Sequence, residues 1–155
     1  MFHGYAKSNV SIDEVVADIV SFVKEKPERN YKIIVGTDSA SQSPVGLVTA
    51  FTVWRVGNGA HHFWTKTPEK NYATLRDRIY AETMQSITLA QELRSRLKEH
   101  LEEKFWNDQI HIDVGKNGPT KELIDTVVGM VKGYGFEAVI KPNSFGASVV
   151  ADRHT

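Results

Sequence analysis

The sequence predicts an α/β fold, and three observations predict it. Stretches with helical hydrophobic spacing alternate with short β-branched runs, the length suits one core, and an aspartate stands at the end of each of two strands joined by a long helical crossover. At 155 residues the chain reads as one domain, residues 1–155, with residues 1–30 a helical extension packed on it. Hydrophobic residues make up 41% and charged residues 25%, a balance that excludes a disordered or fibrous chain.

The elements follow in order. Ser11-Ile12-Asp13-Glu14 has the form of a capping box, and Ile12, Val15, Val16, Ile19, Val20 and Val23 recur at helical spacing, so a first helix is expected over residues 11–26. Residues 31–37 are short, β-branched and almost wholly apolar, as a central strand buried on both faces must be. Residues 46–56 and 60–67 form two more strands, and Gly57-Asn58-Gly59 between them supplies a hairpin turn, which makes the pair antiparallel. Residues 72–104 lack Gly and Pro and are rich in Leu, Ala, Glu, Arg and Gln, so they are expected to form one long helix. Its apolar stripe takes in Leu75, Ile79, Ala90, Leu93, Leu97 and Leu101, and Glu82 lies beside it. Residues 109–114 alternate as a fourth strand, residues 120–132 form a helix closed by Gly133 and Gly135, and residues 136–140 form a fifth strand. Residues 145–152 form a final short helix that returns Asp152 over the sheet.

Composition narrows the chemistry. With no cysteine the described sequence offers no disulfide, thiolate zinc site or cysteine nucleophile, so a metal must rest on oxygen or imidazole. No apolar run approaches the ~18 residues of a membrane span and no signal layout opens the chain, so a soluble, cytoplasmic protein without a membrane partner is expected. Nineteen basic and nineteen acidic residues give zero formal charge, so a nucleic-acid partner has to be met by a local basic groove rather than a global field.

The first, fourth and fifth strands are candidates for parallel neighbours with right-handed crossovers. If the first and fourth are adjacent, the chain leaves them in opposite directions, and ligands collect in the crevice beyond the carboxyl ends of such strands. Asp38 and Asp113 stand there; either one alone has an equally good reading as a cap or Asx-turn residue.

These residues also carry a resemblance. Ile34-Val35-Gly36-Thr37-Asp38-Ser39, His111-Ile112-Asp113-Val114-Gly115, Val128-Gly129-Met130, Gly135-Phe136, Lys141-Pro142 and Ala151-Asp152 resemble the YkuK-like family of bacterial proteins, classed with the RNase H-like superfamily. The resemblance implies a five-stranded mixed sheet in the order 3-2-1-4-5, with strand two antiparallel to the rest, flanked by helices. It also implies four acids, one each on strand one, on the first long helix, at the end of strand four and after strand five. Carried over position by position, these are Asp38, Glu82, Asp113 and Asp152, as catalytic and metal-ligating residues. The implied activity is a nuclease that hydrolyses phosphodiesters with two Mg²⁺ or Mn²⁺ ions roughly 3.5–4 Å apart. Hard oxygen ligands suit those ions, and carboxylates gathered without a cation repel one another.

Plainer readings stand beside these. Arg78, one turn before Glu82, offers it a surface ion pair, and Asp152 has a reading as a solvated acid near a chain end. His154 is a candidate for orienting water, and Lys141 for touching a phosphate. His61 and His62 are adjacent on a strand and point to opposite faces, so they do not share one metal. Gly115-Lys116-Asn117-Gly118 lacks P-loop spacing and reads as a turn. A proofreading-type exonuclease would carry a glutamate where Ala40 stands, which disfavours that subclass. The length also excludes a two-lobed actin-like ATPase. The leading function is therefore a metal-dependent nuclease acting on an RNA/DNA hybrid, RNA or DNA. The alternative is a non-catalytic RNase H-like module that binds nucleic acid or a protein partner.

Overall fold

The computed structural model describes residues 1–4, 7–102 and 106–155. The element order is β1 (His3–Gly4), α1 (Ile12–Glu25), β2 (Tyr31–Asp38), β3 (Val48–Arg55), β4 (Ala60–Lys66), α2 (Leu75–Leu97), β5 (Trp106–His111), α3 (Ile124–Gly133) and β6 (Glu137–Val139). A π-helix (Gly146–Ala151) and a 3-10 turn (Asp152–His154) follow. The six strands lie in the order β1-β4-β3-β2-β5-β6. Without β1 this is the expected order, with β3 antiparallel to both neighbours and β2, β5 and β6 parallel. The addition is β1, two residues that pair with Trp64 and Phe63 at the edge of β4.

Local chemistry explains most element ends. Ser11 Oγ accepts from Glu14 N at 3.1 Å while Glu14 Oε1 accepts from Ser11 N at 3.5 Å, so the capping box forms as expected. Helix α2 is shorter than the expected 72–104: the Thr74 hydroxyl accepts from Asp77 N at 3.0 Å and begins it, and it ends at Leu97. Propensity marks which residues tolerate a helix, not where a cap stops it; the expected end at Lys104 falls outside the described residues. Strand β5 runs three residues earlier than expected. Beyond His111 the backbone leaves β2, with Ile112 N donating to Val139 O at 2.8 Å and Val114 N to Ile112 O at 2.9 Å. Asp113 therefore sits in a tight bend past the strand rather than on it.

The main core lies between the sheet and the helices α1, α2 and α3. It joins Val15, Ile19 and Phe22 of α1 to Ile87, Leu93 and Leu97 of α2, Val127 and Val131 of α3, and the inward residues Ile33, Val35, Phe51 and Val53. Leu75, placed on the α2 stripe from the sequence, is instead exposed, because the stripe begins one turn later at Ile79. No helix of the described residues is long and apolar enough to cross a membrane.

Candidate metal centre

Asp38 is the last residue of β2 and is 8% exposed. Its carboxyl is pushed up to about 7 from the ordinary 3.8, first by burial and then by Asp152, to which it donates a hydrogen bond, and by the charges of Asp113 and Asp152; the Ser39 backbone amide opposes the rise. Glu82 lies on the buried stripe of α2 and is 6% exposed. Burial, then the charge of Asp38, raise its carboxyl to about 8; Arg78 opposes this, Asp113 adds to it, and the Ser39 hydroxyl donates to Glu82 Oε2 at 3.4 Å. Arg78 itself donates from Nη1 to the Ala40 carbonyl at 3.2 Å. It acts on Glu82 through charge from a position fixed by the loop, in contrast to a simple surface pair.

The helix is held at this register by hydroxyls. Thr37 Oγ1 lies 2.9 Å from Thr49 Oγ1 and 2.7 Å from Ser86 Oγ, a buried bridge that ties β2, β3 and α2 together one turn beyond Glu82. Such a bridge satisfies polar groups that burial would otherwise penalise, and it aims Glu82 at the strand ends.

Asp113 is half-buried, and Lys141 Nζ stands 3.0 Å from its Oδ1. Lys141 is thus the ion-pair partner of Asp113. Asp152 is exposed and opens the 3-10 turn after the π-helix. The structure brings Asp38 into interaction with Asp113 and Asp152, and Glu82 into interaction with Asp38 and Asp113. Among the described residues, no three His, Asp or Glu side chains stand close enough to enclose a cation.

The π-helix that leads to Asp152 is pinned by His111, a residue of the family motif whose role here the sequence did not mark. His111 Nδ1 accepts from Gly146 N at 3.0 Å, which leaves Nε2 to donate to Gln109 Oε1 at 3.2 Å. Burial lowers the His111 imidazole to about 4, so the ring is the neutral tautomer this clasp requires. Gly146 is required by contact: a Cβ there would meet Ile34 Cγ2 at 2.7 Å and His111 Nδ1 at 3.2 Å. Gly146→Val should cost about 1–3 kcal/mol of stability by overpacking, read as a lower midpoint in a thermal melt. It should also lift the π-helix, so that adding Asp152→Asn lowers activity no further.

The other expected positions resolve as follows. His61 turns to α1, with Nδ1 2.6 Å from Asp18 Oδ2, while His62 faces the opposite side with Nδ1 2.8 Å from Thr52 Oγ1. His154 stacks on Trp64 at 4.4 Å. Gly118 has φ 119° and Gly115 N donates to Thr120 Oγ1 at 3.2 Å, the expected turn into α3.

Comparison with known proteins follows the same lines. The ribonuclease H-like family model matches residues 14–155. The chain is also similar to the uncharacterized protein YkuK of Bacillus subtilis (strain 168), at 29% identity over 172 aligned positions that span 100% of this chain and 96% of the relative. The resemblance carried by the Gly-Thr-Asp-Ser and His-Ile-Asp-Val-Gly motifs is thereby borne out. No solved structure matches the chain.

Proposed function

We propose that this chain, which belongs to the ribonuclease H-like family, hydrolyses nucleic-acid phosphodiesters with divalent metal held by Asp38, Glu82, Asp113 and Asp152. The observation that supports this most is the burial of Asp38 at the end of β2 and of Glu82 on α2, two acids that feel each other's charge, each raised toward or above neutrality. Buried acids at a crevice that repel one another are unfavourable for stability and are retained where a site needs them. The donor set fits Mg²⁺ or Mn²⁺: it is all oxygen, without thiolate, and the charge it lacks is positive.

The chemistry that such ions supply is the acidification of water and the neutralisation of charge on the phosphoryl group. The rest falls to the chain. Asp38 and Glu82 must give up protons to become ligands, and Asp38 must part from Asp152. Lys141 must exchange Asp113 for another anion, and a substrate phosphate is the anion a nuclease brings. Ser39, between Asp38 and Glu82, holds the Glu82 carboxylate in place.

One observation favours the alternative, a non-catalytic RNase H-like module that binds nucleic acid or a protein: Lys141 Nζ already stands 3.0 Å from Asp113 Oδ1 as its ion-pair partner. A cleavage screen separates the two readings. With Mg²⁺ or Mn²⁺ the protein is expected to cut at least one of RNA/DNA hybrid, single-stranded, duplex or branched substrates, with loss of cutting in chelator. Binding without cleavage of any of them would make the module the better reading.

A further inference from the structure

Two cations flank the four acids, and the fold holds both. Arg78 comes from α2, with Nη1 donating to the Ala40 carbonyl at 3.2 Å and its charge felt by Glu82. Lys141 comes from the edge of the sheet, just past β6. Its backbone N donates to Val114 O at 2.9 Å, and Ile112 N donates to Val139 O at 2.8 Å, so pairing continues beyond both strands and sets Lys141 beside the bend that holds Asp113. The Lys141 stem then lies on Gly115, where an added Cβ would meet Lys141 Cβ at 3.1 Å. The 3.0 Å approach of Nζ to Asp113 Oδ1 is therefore set by backbone register and packing, in contrast to a pair of two free surface side chains.

Asp113 Oδ1 is buried and accepts no hydrogen bond from the described residues. A carboxylate oxygen taken from water without one is unfavourable unless a positive charge stands beside it, and the Lys141 ammonium supplies that charge. The same charge bears on how many ions the centre takes. As ligands, Asp38, Glu82, Asp113 and Asp152 carry four negative charges. Arg78 and Lys141 return two of them, and one divalent ion returns the other two. A second divalent ion would leave an excess of positive charge among half-buried groups, and on Asp113 it would compete with an ammonium that the backbone places there.

We propose that the centre takes one divalent ion rather than two, and that Lys141 brings to the substrate phosphate the positive charge that a second ion would bring. This departs from the two ions that the resemblance implies. The Lys141 side chain is half exposed, within reach of an anion from solvent. When Asp113 serves as a ligand, its ammonium is released to that anion. The ion count rests on the metal centre alone; the contact with phosphate rests on the hydrolase reading.

The count is read without substrate. Mn²⁺ is titrated into the full chain by calorimetry, and bound ion is counted by equilibrium dialysis. Wild type is expected to bind one Mn²⁺, and Asp113→Asn to lose it, which assigns the ion to this centre. Lys141→Met, similar in length and uncharged, should bind a second ion, and Lys141→Arg, which keeps the charge, should bind one. Circular dichroism and a melt in chelator check each fold, and Lys141→Gln takes the place of Lys141→Met if that variant does not fold. Where wild type cleaves, its rate below saturation should rise with the first power of Mn²⁺ concentration, and that of Lys141→Met with the second. Two ions on wild type, or only one on the uncharged variant, overturn the inference and leave the metal centre standing. No ion on any variant removes both. One ion on wild type and two on Lys141→Met, with no substrate cut, support the count and remove the hydrolase reading.

Discussion

Asp38→Asn is expected to leave a folded protein whose nuclease activity has fallen by at least roughly 10³-fold, equivalent to about 4 kcal/mol of barrier. The change preserves volume and removes an anionic ligand from the end of β2, while sparing the fold a charge that burial already disfavours. Asp113→Asn should match it in activity. It should cost some stability as well, because Lys141 loses the carboxylate 3.0 Å away; since the lysine is half exposed, that loss is small. Asp152→Asn should be milder, at roughly tenfold, because its side chain is exposed and water replaces an exposed ligand with little penalty. The four variants, Glu82→Gln included, should be purified together, matched by circular dichroism and assayed across a Mn²⁺ titration. Wild-type rates for Asp38→Asn and Asp113→Asn at every metal concentration would refute the carboxylate mechanism.

Glu82→Gln should reverse its effect on stability with metal. A carboxyl whose pKa is raised by folding takes up a proton as the chain folds. Its contribution is complete below the unfolded value and is lost as pH climbs through the folded one. For Glu82 that interval runs from 4.5 to about 8, and for Asp38 from 3.8 to about 7. His62, His111 and His154, whose values are lowered, act on the acid side of 6.5 and so leave the upper part of the interval to the acids. In chelator, the wild-type melting midpoint should therefore fall between about pH 6.5 and 8, and Glu82→Gln should melt higher than wild type at pH 9, by roughly 2–4 °C for each kcal/mol of repulsion relieved. Millimolar Mg²⁺ or Mn²⁺ should invert the order. Metal binds the deprotonated folded state, so it raises the wild-type midpoint more at pH 8 than at pH 6, and it raises Glu82→Gln little. A wild-type midpoint indifferent to both ions at every pH would remove the metal centre.

Some of this was determined by the sequence alone. The capping box at Ser11, the doubly buried strand ending at Asp38, the hairpin at Gly57-Asn58-Gly59 and the inward stripe beside Glu82 are all local. Each depends on residues within a turn or a strand of one another, so periodicity and side-chain chemistry suffice to read them. The order of the five principal strands was legible through the family motifs, and the right-handed crossovers agree with it. Tertiary structure decided the rest, because the deciding contacts join residues far apart in the chain. The edge strand His3–Gly4 exists because β4 offers it a partner. β5 stops at His111 because Ile112 finds a donor's place at β6 instead of β2. The site depends on such contacts most. Lys141 lies against Asp113, His111 clasps Gly146 to bring Asp152 over the sheet, and the Thr37–Ser86 hydroxyl pair sets the register of Glu82. None of these pairs has a spacing or period that marks it in the sequence, since burial and charge at a site are properties of what surrounds a residue rather than of its neighbours along the chain.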